Sequence, residues 1–251
     1  MRNYRQLAPG IRSEFVERLF GAPILENQHT EHAHADAVLY SSEEETYLLI
    51  ERIWVLGEDG YLLTVNRNEE VQAYSLTTRR RRFRPAIDVG FIWGGTGPTY
   101  RVRLGVTKFT KLGDISSANK IVAWCGARRF GYYETHTTSQ QATSGTETQW
   151  ACGMSMVGLR RSGDVPAQLT RVHVGSCERE DFSSPEMAEF TEMVRSYRRH
   201  ARINSLMIGY PGEYASSIGP EDDARIVMLR ATSSAWSRAR LRRKTRKSHW
   251  S

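Results

Sequence analysis

His29, His32, His34 and Asp36, in the stretch HTEHAHAD, form the densest set of metal-ligand residue types in the chain. Imidazoles with a carboxylate suit zinc or another divalent ion, and a metal-activated water there would make the protein a metal-dependent nuclease. Spacing works against it. His29 and His32 share a face only on a helix, whereas His32 and His34 share one only on a strand. No single regular conformation presents all three, and the polar surroundings read as a loop in which histidines are simply solvated. The other candidates are thinner still. Gly94 to Thr99, GGTGPT, lacks the Gly-Lys-Ser/Thr ending of a phosphate loop and no helical pattern follows it, so a hairpin turn is expected. No serine stands in a G-x-S-x-G elbow. Cys125 and Cys152 each precede a glycine inside an apolar run, with nothing adjacent to lower a thiol pKa, and read as buried structural thiols. The neighbouring acids Glu58 with Asp59, and Asp222 with Asp223, sit in turn-like segments, and adjacent strand residues point to opposite faces. The expectation is a protein that is not an enzyme and carries no cofactor.

The basic residues are better organised. RRRRFRP places Arg79, Arg80, Arg81, Arg82 and Arg84 around Phe83, just ahead of the strand-like AIDVGFIW. Arginine binds phosphate bidentately, and an interleaved aromatic offers a stacking surface for bases. The same cluster would be drawn to acidic lipid headgroups, or would merely guard a strand edge against pairing. Arg128, Arg129, Arg160 and Arg161 could widen such a face. The C-terminal block RARLRRKTRKSHWS adds Arg238, Arg240, Arg242, Arg243, Lys244, Arg246 and Lys247, with no acid among them. The formal net charge is +7, and these seven residues carry all of it, leaving 28 basic against 28 acidic residues in the body. A cationic arm on a neutral body attracts polyanions, and RRKTRK is also the kind of extended segment that an importin-type receptor captures. The bland alternative is a solubilising end.

The elements that must carry these groups follow from composition and periodicity. With 251 residues, 39% hydrophobic and 25% charged, the chain can bury a real core. Three cysteines, Cys125, Cys152 and Cys177, at wide spacings imply a reducing compartment and no disulfide framework. No apolar run is long enough for a spanning helix, the MRNYRQLAPG start lacks an apolar core of a secretory signal, and Arg2 stands where myristoylation needs glycine. Residues 11–20 put Ile11, Phe15, Val16, Leu19 and Phe20 on one helical stripe, ended by Gly21. From Ala22 to about Glu45 the chain is polar and reads as loop or linker. From Thr46 on, TYLLIERIWVL and YLLTVNR flank a Gly-Glu-Asp-Gly turn, a hairpin signal, and eight or nine strand candidates precede the next helix. That helix, at 184–200, has Ser183 and Glu186 as a capping box, Pro185 in the first turn and an apolar stripe of Met187, Phe190, Met193, Val194 and Tyr197. SLMIGY and ARIVMLRAT read as two late strands. The expected fold is α+β and mainly antiparallel, one twisted sheet or a sandwich packed with one or two helices. Residues 1–45 would be an N-terminal helix and polar linker, 46–232 a strand-rich core domain, and 233–251 a flexible basic tail.

The C-terminal third, from QLTRVHVGSCEREDFSSPEMAEFTEMVRSYRRHARINSLMIGYPG to DDARIVML, resembles the arrangement of rhabdovirus matrix proteins, in which a strand leads through an acidic turn to a helix and a final strand pair. The basic tail is similar to that of plant members that replicate in the nucleus. The likeness covers roughly 80 residues and rests on element order; the Pro-Pro-x-Tyr release motif of animal members is missing. It implies a virion structural protein, present in host nucleus and cytoplasm, that condenses the nucleocapsid and bridges it to an anionic membrane, with self-association compatible. Arg79 to Arg84 and the tail would contact RNA, nucleoprotein or lipid. The alternative is a viral coat or movement protein binding nucleic acid through a β-barrel or sandwich body.

Overall fold

In a computed structural model of the chain, the described residues are 3–32, 46–57, 60–80, 82–90, 99–115, 118, 120–126, 129–138, 148–155, 175–178 and 188–209. They form a mainly antiparallel α+β fold, as expected. The strands are β1 (Leu25–His32), β2 (Thr46–Leu56), β3 (Gly60–Arg67), β4 (Glu70–Thr78), β5 (Ala86–Gly90), β6 (Thr99–Arg103), β7 (Lys120–Gly126), β8 (Arg129–Thr138), β9 (Thr148–Ser155), β10 (Gly175–Glu178) and β11 (Ser205–Gly209). The helices are α1 (Ser13–Phe20) and α2 (Ala188–His200), with short 3-10 turns at Asn3–Gln6 and Phe109–Leu112.

Nine strands make one sheet in the order β1-β2-β3-β4-β11-β9-β8-β7-β10, and β5 and β6 pair separately as the hairpin expected around GGTGPT. The sheet consists of two meanders, β1 to β4 and β7 to β9, joined through β11. This late strand pairs antiparallel with β4 on one side and β9 on the other. Its sequence, SLMIG, suits a seat between two strands: Leu206 and Ser205 are buried, and the Ser205 hydroxyl meets that of Thr77 at 2.9 Å across the ladder. The predicted β2–β3 hairpin forms in register from Leu56–Gly60 to Leu49–Arg67. Between β3 and β4 the chain reverses through Asn68 and Glu69, both left-handed at φ 52 and 61, the conformation of the hairpin turn that follows strand twist.

One face of the sheet holds the main core. Trp54, Leu62, Leu76, Leu206, Cys152 and Tyr132 line it, and α2 packs there through Phe190, Val194 and Tyr197. Of the stripe read from sequence, Phe190, Val194 and Tyr197 are buried and Met193 is partly buried against the same core rather than lining an open groove, while Met187 lies outside the described residues. α1 behaves likewise: Val16 is fully buried, and the Gly21 N–H closes the helix on the Glu17 carbonyl at 2.7 Å. On the opposite face Leu49, Ile53, Leu63 and Val65 are buried too, in smaller clusters.

One expectation is corrected. The stretch read as polar linker contains β1, paired with β2 over its whole length, so residues 25–32 belong to the sheet and not to a connector. LENQHTEH shows no apolar alternation because it is an outer strand, whose identity comes from its neighbour's ladder and from one ion pair. Arg52 on β2, almost wholly buried, donates from Nε to Glu26 of β1 at 2.8 Å and from Nη1 to Glu69 of the β3–β4 turn at 2.9 Å. Those contacts hold both carboxyls below the usual carboxylate range against the opposing effect of partial burial. Arg52→Met is expected to loosen this edge by about 1 kcal/mol, since both acids are substantially exposed and their attraction is screened. Amide exchange should accelerate in β1 with β8 and β9 unaffected.

The expected cap of α2 (Ser183, Pro185, Glu186), the last strand candidate (224–232) and the basic tail lie outside the described residues.

Candidate functional site

Among the described residues, charged groups also gather at an arginine turn at the end of β4 and in a buried polar cluster beneath α2.

The turn is built by Thr78, the last residue of β4. Its hydroxyl donates to the carbonyl of Phe83, and the Phe83 N–H donates to the Arg80 carbonyl at 3.0 Å. The chain is folded back on itself so that Phe83 points inward. Its ring is buried, edge-on to Tyr4 with centroids 6.2 Å apart, and lies over Gly60. Arg80, Arg82 and Arg84 are exposed, Arg79 is half-buried and Arg81 lies outside the described residues. Arg79 also bears on Tyr61: burial raises that phenol's pKa, and the guanidinium charge offsets part of the rise. The sequence reading is corrected at Phe83, which is the anchor of the turn and not a platform for bases. An aromatic next to a strand end is recruited to the core whenever a gap lies beneath it, here the one left by the missing side chain of Gly60.

Sequence reasoning missed the second cluster. Tyr132, Glu134 and His136 alternate along the core face of β8, and Trp150 and Cys152 stand opposite on β9. Arg198, on the inner side of α2, reaches down to them. Its Nε donates to Glu134 Oε1 at 2.8 Å, and its remaining donors meet Glu134 Oε2 at 3.2 Å and the carbonyls of Gly113 and Phe109 at 3.0 and 3.3 Å. The Tyr132 hydroxyl donates to Glu134 Oε1 at 2.6 Å, and His136 Nε2 lies 3.4 Å from Oε2 while its ring stacks on Trp150. Glu134 is completely buried. Burial alone would raise its pKa, but His136, Arg198 and Tyr132 outweigh that and hold it below the ordinary carboxylate value of 4.5. Burial pushes the thiol of Cys152 well up, in keeping with the structural thiol expected there.

Glu134, His136 and Cys152 each offer a ligand atom, all within 4.8 Å of one another, and such a donor set suits zinc. The arrangement fits a metal poorly. Both carboxylate oxygens are engaged by Arg198 and Tyr132, the thiol is held protonated, and the guanidinium already supplies the positive charge. The cluster is a buried ion pair whose cation is Arg198. The one available signal was positional: an acid in the inward register of β8, and an arginine four residues after Val194 on the apolar stripe.

The remaining sequence candidates are scattered. His29 and His32 lie on β1, paired in register with Leu49 and Thr46 of β2. The helical i, i+3 pairing considered for them does not form. His34, Asp36, Arg128, Arg160, Arg161 and the tail cations from Arg238 to Lys247 lie outside the described residues. No protein-family model, no curated protein and no solved structure matches the chain.

Proposed function

We propose that the protein is a non-enzymatic, polyanion-binding structural protein of the viral matrix type, which contacts nucleocapsid RNA or nucleoprotein and an anionic membrane surface and uses its C-terminal arm for import into the host nucleus. The observation that carries this reading is the turn of Arg80, Arg82 and Arg84, exposed and held in a fixed conformation by the Thr78 hydroxyl and the buried Phe83. A fixed backbone turn spares the chain's own ordering cost on binding, leaving that of the arginine side chains. Among the described residues nine strands pair in one order with α2 against one face; in this reading an open sheet backed by that helix suits a matrix-type body, and a closed β-barrel or sandwich would suit a coat or movement protein. Among the described residues no helix is long and apolar enough to cross a membrane, so in this reading the lipid contact is peripheral and electrostatic.

Flotation with phosphatidylserine vesicles, run beside RNA binding, tests the assignment. Both should succeed and both should weaken with salt. RNA binding without flotation would replace the matrix reading by a coat or movement protein, and failure of both would end the polyanion reading. For the arm, deleting residues 238–251 should abolish nuclear accumulation of a fluorescent fusion too large to diffuse passively. It should also flatten the salt dependence of RNA binding. Unchanged localisation with an unchanged slope would leave the arm as a solubility device.

A further inference from the structure

The arginine turn is one end of a longer run of exposed cations, tied together by the backbone. Just past Arg84, the Pro85 carbonyl accepts the N–H of Leu104 at 3.0 Å, which sets Arg103, at the end of β6, beside the turn. Arg103 in turn accepts the N–H of Thr107 at 2.9 Å, and its own N–H donates to the Thr107 hydroxyl at 2.8 Å. This closed loop delivers the chain to Lys108. There a second strand-like contact forms, since the N–H of Ile203 donates to Thr107 at 2.9 Å and that of Gly105 to Ile203 at 2.7 Å, setting Lys108 opposite Arg202.

From Lys108 the 3-10 turn Phe109–Leu112 carries Lys111 outward. The buried Arg198 fastens that turn to α2 by donating to the carbonyls of Phe109 and Gly113, and Arg199, its neighbour on the helix, faces solvent. The circuit closes where the N–H of Thr78, the residue that builds the arginine turn, donates to the Asn204 carbonyl at 2.8 Å. Residues far apart in sequence are thereby held on one continuous rim, and every cation named on it apart from the buried Arg198 is exposed.

Asp88 meets Arg101 at 3.9 Å, Asp114 meets Arg195 at 3.9 Å and Glu192 meets Arg199 at 3.4 Å, all between exposed side chains. Such pairs are weak and yield readily to a competing phosphate. Among the described residues the exposed large hydrophobics are Ile24 and Leu48, which belong to the β1–β2 edge and not to the rim. Its cations stand on turns and at the ends of elements, not along one projecting helix that could enter a groove and read base edges.

We infer that this rim is a sequence-independent binding surface for the phosphate backbone of nucleic acid, with the arginine turn as one end and the C-terminal end of α2 as the other. The inference rests on the polyanion reading above and extends it to residues that reading does not use.

The test is salt-dependent binding of the full-length protein to a single-stranded RNA of mixed sequence, with single-stranded DNA, duplex RNA and phosphatidylserine vesicles as further arms. Lys108→Gln, Lys111→Gln and Arg202→Gln are combined in one variant, and Arg82→Gln with Arg84→Gln in a second; matching circular dichroism and melting confirm that both fold. Each phosphate contact adds about 0.7 to the log–log salt slope on a single strand, so the triple variant should lower the slope by about 2, with the affinity loss largest at low salt. A triple variant with wild-type slope, while the double variant loses slope, overturns the rim and leaves the polyanion reading standing. Wild-type protein that binds neither RNA nor vesicles overturns both. A triple variant that loses flotation but keeps its RNA slope overturns the choice of nucleic acid in favour of a lipid surface. Comparable slope loss on RNA and DNA supports backbone recognition, whereas loss confined to one sequence overturns it.

Discussion

Glu134→Ala should cost about 3–5 kcal/mol of folding stability, the penalty for leaving one member of a buried ion pair alone in the core. The prediction follows from how completely Arg198 depends on that carboxylate. Its guanidinium is almost fully buried, and Glu134 is its counter-charge at 2.8 Å. With the acid gone, the carbonyls of Phe109 and Gly113 remain as acceptors, but they carry no net charge to balance it. Urea unfolding measures the loss. The double variant Glu134→Leu with Arg198→Met is expected to be much less damaged than the two single variants added together, because it removes both charges and refills the space with apolar atoms. Strict additivity would mean that the two residues are not coupled.

The same pair fixes a pH dependence. Glu134 has its pKa depressed in the folded state, so its contribution to stability is fully present above the unfolded value of 4.5 and is lost as pH falls through the lower, folded value. Glu26 and Glu69 shift in the same direction through Arg52, and because they are substantially exposed their contribution is reduced by solvent screening. Stability should therefore fall on acidification below 4.5. Glu134→Gln, which cannot titrate, should show a flatter profile there from a lower starting level. Equal slopes for the two proteins would place the acid-sensitive group elsewhere.

Much of the fold was legible because its signals are local. The β2–β3 hairpin, the β5–β6 hairpin and the buried stripe of α2 each follow from periodicity and turn residues within one short segment. β1 was not legible, since a polar outer strand has no periodicity of its own and is specified by Arg52 on its neighbour. The buried cluster failed for a related reason. Glu134 and Arg198 are 64 residues apart, and each alone reads as an ordinary surface charge. Basic residues near the end of a helix also complement its dipole, and that adequate local explanation hid the inward position of Arg198. At Phe83 the residue was singled out and its role inverted, because sequence shows an aromatic among arginines but not the space above Gly60 that receives it. The rim of cations depends on backbone bonds among segments near 85, 104, 107 and 203, which no reading of one segment at a time can assemble.

That space makes Gly60 the second site of large effect. Gly60→Ala should destabilise the protein by about 3 kcal/mol, the upper range for forcing an extra methyl group into packed structure. A Cβ at Gly60 would fall on the carbonyl oxygen of Thr77, a backbone atom of the neighbouring strand, and would come within 3.0 Å of the Phe83 ring. The strand cannot give way without breaking the Gly60–Thr78 register, so much of the displacement falls on Phe83 and on the turn it anchors. Gly57→Ala is the comparison, three residues earlier and immediately after β2. There the cost has a different origin, a left-handed φ of 64 with nothing within 4 Å of the added methyl group, and should be about 1–2 kcal/mol. The two variants separate stability from function. Gly60→Ala should weaken RNA binding and accelerate amide exchange across 78–85 under conditions where the protein remains folded, because the arginines lose their fixed turn. Gly57→Ala should leave both unchanged. If Gly60→Ala lowered stability but kept full RNA affinity, Phe83 would be a core residue only, and the conformation of the arginine turn would be irrelevant to what it binds.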